Sequence, residues 1–146
     1  MAIGNSPGTT NFDNNLTLTS AATYLYDMTG GASPGVGSAD LGNVTGTLAL
    51  GNTVLDLVEL GVYTAGNKFT LFGYTGGISG TFLSLADDSQ FTDDLSNLWV
   101  INYNDSVAGM NGGTGTSFVT ITAVPEPDMA SLLGAIGVVG LLRRRR

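Results

Sequence analysis

Short apolar runs of period two, each cut off by Gly, Asn, Asp or Ser, fill the chain from residue 16 to 123. Such a pattern sets alternate side chains on opposite faces, as a half-buried strand does, and no window before residue 128 carries a helical period of 3.6 over three turns. Leu16 and Leu18 alternate with Thr17 and Thr19. Tyr24, Tyr26 and Met28 form a second set, and Val44, Leu48 and Leu50 a third around Gly46. Residues 54–60, 69–74, 78–85, 98–103 and 118–123 complete eight candidate strands. This spacing predicts an all-β body, either a β-solenoid (parallel β-helix-like) or a β-sandwich. Leu48 and Leu50 are even-numbered while Leu55 and Leu57 are odd, so one extra residue at Gly51-Asn52 re-aims the chain at a corner. Leu16, Leu18 and Leu25 match Leu48, Leu50 and Leu57 at an offset of 32, with Asp27 against Glu59, a faint internal repeat. The Gly-rich stretch 109–115 reads as a turn or loop between the last two strands.

What the chain lacks bounds its chemistry. It has no Cys, so no disulfide frame, thiolate nucleophile or zinc finger. It has no His, so no Ser-His-Asp chemistry. At 146 residues it is about one domain, and 42% hydrophobic content is enough for a core. Only 12% of residues are charged, against roughly 25% in an average domain. The formal net charge of −7 is unevenly placed: four of the five basic residues are Arg143, Arg144, Arg145 and Arg146. The rest sets Lys68 alone against 12 acids, a body of −11. Such a body repels phosphate backbones, which excludes nucleic acid as a partner.

The C-terminus is the most specific part. Residues 124–128 read Val-Pro-Glu-Pro-Asp; 129–142 are an apolar run; 143–146 are a basic stop. Pro125 and Pro127 remove backbone donors and end the preceding strand, leaving Glu126 on an extended stretch. Asp128 stands where a helix N-cap belongs. The arginines remain cytoplasmic under the positive-inside rule, which puts the N-terminus outside. Fourteen residues make only about 21 Å of helix against a ~30 Å hydrocarbon core. The expectation is therefore one short C-terminal transmembrane-type helix that anchors weakly in the lipid bilayer, transiently or permanently.

This constellation resembles the PEP-CTERM sorting signal of bacterial envelope proteins, in which the motif, the apolar helix and the arginine cluster come in this order. The resemblance implies recognition by an exosortase, a membrane-embedded sorting enzyme, and association with exopolysaccharide. By the same resemblance Val124, Pro125, Glu126 and Pro127 are recognition residues and Arg143, Arg144, Arg145 and Arg146 the membrane stop. The body is similar to an autotransporter-like, β-rich passenger. The residues that carry this likeness are the run 40–51 (Asp-Leu-Gly-Asn-Val-Thr-Gly-Thr-Leu-Ala-Leu-Gly), then 66–72, 78–82 and 102–105. Its usual Tyr-Asp start is Ala39-Asp40 here.

These readings divide the chain into a polar N-terminal segment 1–15, a β-rich passenger 16–123 and a sorting signal 124–146. Residues 1–15 show no basic n-region and no apolar run, so no secretory signal peptide is legible there. The expectation is a fragment of a longer gene product or a misplaced start. Candidate carboxylates are Asp56 with Glu59, and Asp87-Asp88 with Asp93-Asp94. Asp56 and Glu59 fall on opposite faces of an extended strand, and the four aspartates look like solvated turn acids. Trp99 and Tyr103 read as core or strand-surface residues. The function expected is non-enzymatic, in the cell envelope or extracellular matrix, with no catalytic residue, no cofactor and no metal. The alternatives are a fragment of a surface carbohydrate-active β-solenoid enzyme and a calcium-dependent adhesion module.

Overall fold

A computed structural model describes residues 1, 7–29, 35, 37–61 and 63–125. Eleven strands run through them: β1 (Thr9–Phe12), β2 (Leu16–Leu18), β3 (Thr23–Thr29), β4 (Leu41–Val44), β5 (Leu48–Gly51), β6 (Val54–Leu60), β7 (Lys68–Tyr74), β8 (Ile78–Thr81), β9 (Gln90–Thr92), β10 (Leu98–Asp105) and β11 (Ser117–Ala123). The all-β expectation holds.

The strands are laid out in circuits. Each of the first two passes of the chain leaves one strand in each of three sheets, and β7 and β8 begin a third pass. β1, β4 and β7 pair in parallel, as do β2, β5 and β8, and as do β3 and β6. The chain then reverses: β11 pairs antiparallel with β7, β10 with β11, and β9 with β10. Among the described residues the result is neither a closed barrel nor a solenoid carried through the body. The parallel stacks are two or three strands deep and are finished on one side by antiparallel hairpins.

The internal repeat is partly real. Leu16 lies on Leu48 and Leu18 on Leu50, at the offset of 32. Leu25, however, lies on Asp56, and Leu57 takes Tyr26 as its neighbour. The corner before β6 is one residue shorter than the corner before β3, so the register slips by one. Asn52 occupies that corner at φ 59, a left-handed conformation that Asn tolerates. The parity change seen in the sequence is this corner, where the chain leaves one sheet for another.

The strands depart from the sequence expectation in four places. β1 lies inside the polar N-terminal segment and β9 is three residues long, too short for periodicity to register. The single run through Val44 and Leu50 is two strands in two sheets, because the chain turns at residues 45–47. The run 78–85 ends as a strand at Thr81, after which Ser84 takes φ 60. The expected helix over 129–142 lies outside the described residues. Among those described, no helix is long and apolar enough to cross a membrane.

The core is aromatic. Tyr24, Tyr26 and Met28 point inward from β3 and are fully buried. Tyr24 stacks on Phe72, ring centroids 4.7 Å apart. Their hydroxyls stay satisfied by reaching across the core: Tyr24 donates to Leu71 O and Tyr26 to Thr70 O, both on β7. Burial then pushes both phenols well above their ordinary range. Each such ring contributes roughly 2–3 kcal/mol by leaving water.

Candidate functional site

The site that the sequence singles out begins where the body ends. β11 is held on both sides up to its last residue: on one side Ala123 N donates to Asn67 O (2.9 Å) and Gly66 N to Ala123 O (2.8 Å), and on the other Ala123 is paired with Trp99 of β10. Val124 N then donates to Leu98 O at 2.8 Å. Pro125 has no N–H to continue the ladder and is exposed. Backbone pairing thus stops one residue before the Pro-Glu-Pro stretch. A cleft of about 280 Å³ opens at this exit, lined by Tyr63, Ala65, Asn97, Leu98, Ala123, Val124 and Pro125. Glu126, Pro127 and Arg143, Arg144, Arg145 and Arg146 lie outside the described residues, as does the apolar run.

Three of the six candidate carboxylates, Asp87, Asp88 and Asp93, act as turn locks. Asp93 is the centre of one. Its Oδ1 accepts from Leu95 N (3.0 Å) and Asn97 N (2.7 Å), and its Oδ2 from Asn97 Nδ2 (2.7 Å) and Trp99 Nε1 (2.8 Å). Burial alone raises its pKa, but these donors, Trp99 foremost, outweigh that and hold it below the ordinary value. Asp87 accepts from Tyr103 N (2.9 Å) and Asp88 from Asn102 Nδ2 (2.7 Å), which ties the turn before β9 to β10. Asp56 and Asp94 border a shallow recess of about 80 Å³ with Phe91. Trp99 and Tyr103 are core residues, 0% and 3% exposed. Among the described residues no three His, Cys, Asp or Glu side chains come together as a metal site.

The functional polar residues that sequence reading missed are inside. Asn111 donates to Thr70 O (2.9 Å), Asp40 O (3.1 Å) and Tyr26 Oη (3.2 Å), and accepts from Thr70 N (2.7 Å). Asn43 donates to Asn11 in the neighbouring circuit at 2.9 Å and accepts from Thr114 N at 2.8 Å. Asp40, fully buried, accepts from Gly8 N and Asp27 N and covers donors at the edge of the first circuit. Burial pushes its carboxyl up, opposed by those two hydrogen bonds. The only signal in the sequence was the Asn11–Asn43 spacing of 32, the same offset as the leucines.

The described body offers a packed scaffold, and the residues that follow it in the sequence are a Pro-Glu-Pro stretch, an apolar run and an arginine end. Residues 123–146 match the PEP-CTERM protein-sorting motif, starting one residue before the boundary expected from the sequence. The motif marks a membrane-associated signal for envelope or surface targeting that is recognised by an exosortase. No curated protein and no solved structure matches the chain.

Proposed function

We propose that this is a non-enzymatic envelope or matrix protein: an acidic β-body delivered to the surface by its C-terminal signal. The carrying observation is the motif match at 123–146 in the residues directly after the last paired strand. In this reading Val124, Pro125, Glu126 and Pro127 are read by the sorting enzyme, and Arg143, Arg144, Arg145 and Arg146 hold the C-terminus in the cytoplasm with the body outside. The body is a short autotransporter-like passenger built from stacked circuits, and exopolysaccharide is its surrounding partner. The use of Asp87, Asp88 and Asp93 as turn locks supports a structural role for those acids rather than a chemical one. A calcium-dependent role would have no three-carboxylate cluster to draw on among the described residues.

Transplanting the signal tests the reading. Residues 124–146 are fused behind a secreted reporter of neutral charge, in a bacterium that carries an exosortase. The reporter is expected to be shortened and to reach the cell surface. A reporter that is exported but never processed, in cells that process their own signal-bearing proteins, contradicts the proposal.

A further inference from the structure

The three parallel stacks are not equally deep. β1, β4 and β7 make one of three strands and β2, β5 and β8 another, while β3 and β6 make one of two. After β8 the third pass still follows the second: Asn52 N donates to Thr81 O and Leu83 N to Thr53 O. Thr53 is the residue before β6. Ser84 then takes φ 60, and the chain turns away toward β9 instead of laying a strand on β6. Among the described residues nothing pairs with β6 on the side away from β3.

Main-chain groups along that edge are left to bond a guest. Val54 N donates to Ala22 O, and successive residues of a paired strand turn their N–H and C=O to alternate sides. Val54, Asp56 and Val58 therefore bond toward β3, and Leu55, Leu57 and Glu59 face the open side. Among the described residues no hydrogen bond reaches the main chain of Leu55 or Leu57. The recess of about 80 Å³ runs beside them and is closed opposite by Phe91, Thr92, Asp93 and Asp94. Phe91 packs on the core. β6 is seven residues long and has no Pro, Gly or Lys, the usual devices that blunt an open edge.

We propose that the open edge of β6 takes an extended basic segment of a partner protein as the third strand of its stack. The alternation of β6 sets the chemistry of the guest. Leu57 is buried and Leu55 half-buried, so guest side chains on the inner face meet these two and Phe91 and are apolar. Asp56 lies on the outer face and Asp94 at the rim, so guest side chains there are Lys or Arg. These acids have no cation of their own: Lys68, the sole basic side chain among the described residues, is committed to Asp105 at 2.9 Å and to Val107 O. A second copy of this chain is the poorer guest. Residues 1–124 carry a formal −9, and pairing two β6 edges brings Asp56 and Glu59 of both copies to one seam.

The test follows amide hydrogen exchange by NMR in the full chain, with an eight-residue peptide of alternating Val and Lys as the probe. At about 1 mM peptide, the weak end of specific contacts, exchange at Leu55 and Leu57 is expected to slow by about tenfold or more. Asp56 and Val58, already bonded to β3, are expected to keep their rates. The same peptide with Glu in place of Lys is expected to change nothing. Asp56→Lys combined with Asp94→Lys is expected to reverse the preference, so that the Glu peptide protects Leu55 and Leu57 and the Lys peptide does not. No protection by the Lys peptide, or equal protection by both peptides in the wild-type chain, overturns the proposal. Slow exchange at Leu55 and Leu57 in the chain alone also overturns it, since the position is then filled by the chain itself or by a second copy. The readout is confined to β6, so its outcome is independent of the sorting signal.

Discussion

Buried amides hold the turns of this protein where apolar packing alone would leave them undetermined. Asn111 is the clearest case: one side chain ties the 109–115 loop to β7, to β3 and to the strand entry at Asp40. Asn111→Ala would remove the partner of Thr70 N–H and of Asp40 C=O in a site closed to water, while Thr70 O keeps its bond from Tyr26. The expected cost is about 3 kcal/mol, the desolvation penalty of two unpaired buried groups. Urea denaturation followed through Trp99 measures it, and an unchanged midpoint would show that the amide network does not hold the loop. Nothing in the sequence distinguishes Asn111 from the other asparagines, because its importance lies in three partners that are 41, 71 and 85 residues away. Periodicity reports side chains that alternate along one strand, and a single amide in a glycine-rich stretch has no period.

At the scale of elements, close backbone approach decides which connections are possible. The loop after β10 crosses β7 so tightly that a Cβ on Gly109 would stand 2.6 Å from the Phe69 backbone. Gly109→Ala is therefore expected to destabilise by about 1–3 kcal/mol through forced backbone shifts. Gly77→Ala, where a Cβ meets nothing within 4 Å, is expected to stay within about 0.5 kcal/mol of wild type. Thermal melts of both chains check this, and equal losses would refute the crossing as the cause. The long strands β3, β6, β7, β10 and β11 were legible in the sequence as apolar-rich runs of seven or eight residues, β3 and β10 most clearly because they bury alternate residues. The corner at Gly51-Asn52 was legible as a change of parity. β1 and β9 were not, since neither has a fully buried residue. β4 was merged with β5 because it is buried on both faces between β1 and β7 and so loses its alternation. The exit was legible to the residue: proline chemistry places the end of pairing just before Pro125, and the last bond is from Val124.

For the whole molecule, the division of charge carries the account. Residues 1–124 carry a formal −9 and the last four residues +4, and the Pro-Glu-Pro stretch lies between them. The small net charge of −7 conceals this. Among the described residues the acids face a single basic side chain, Lys68, which is paired with Asp105. The arginine end is complementary to an anionic lipid surface, and the acidic body is not. The measurement that bears most directly on this account replaces Pro125, Glu126 and Pro127 together by alanine in the full chain, in a cell with an active exosortase, and follows size and location by fractionation. The account predicts a chain that keeps its C-terminus and accumulates in the membrane fraction. Processing and surface location equal to those of the wild-type chain would contradict it.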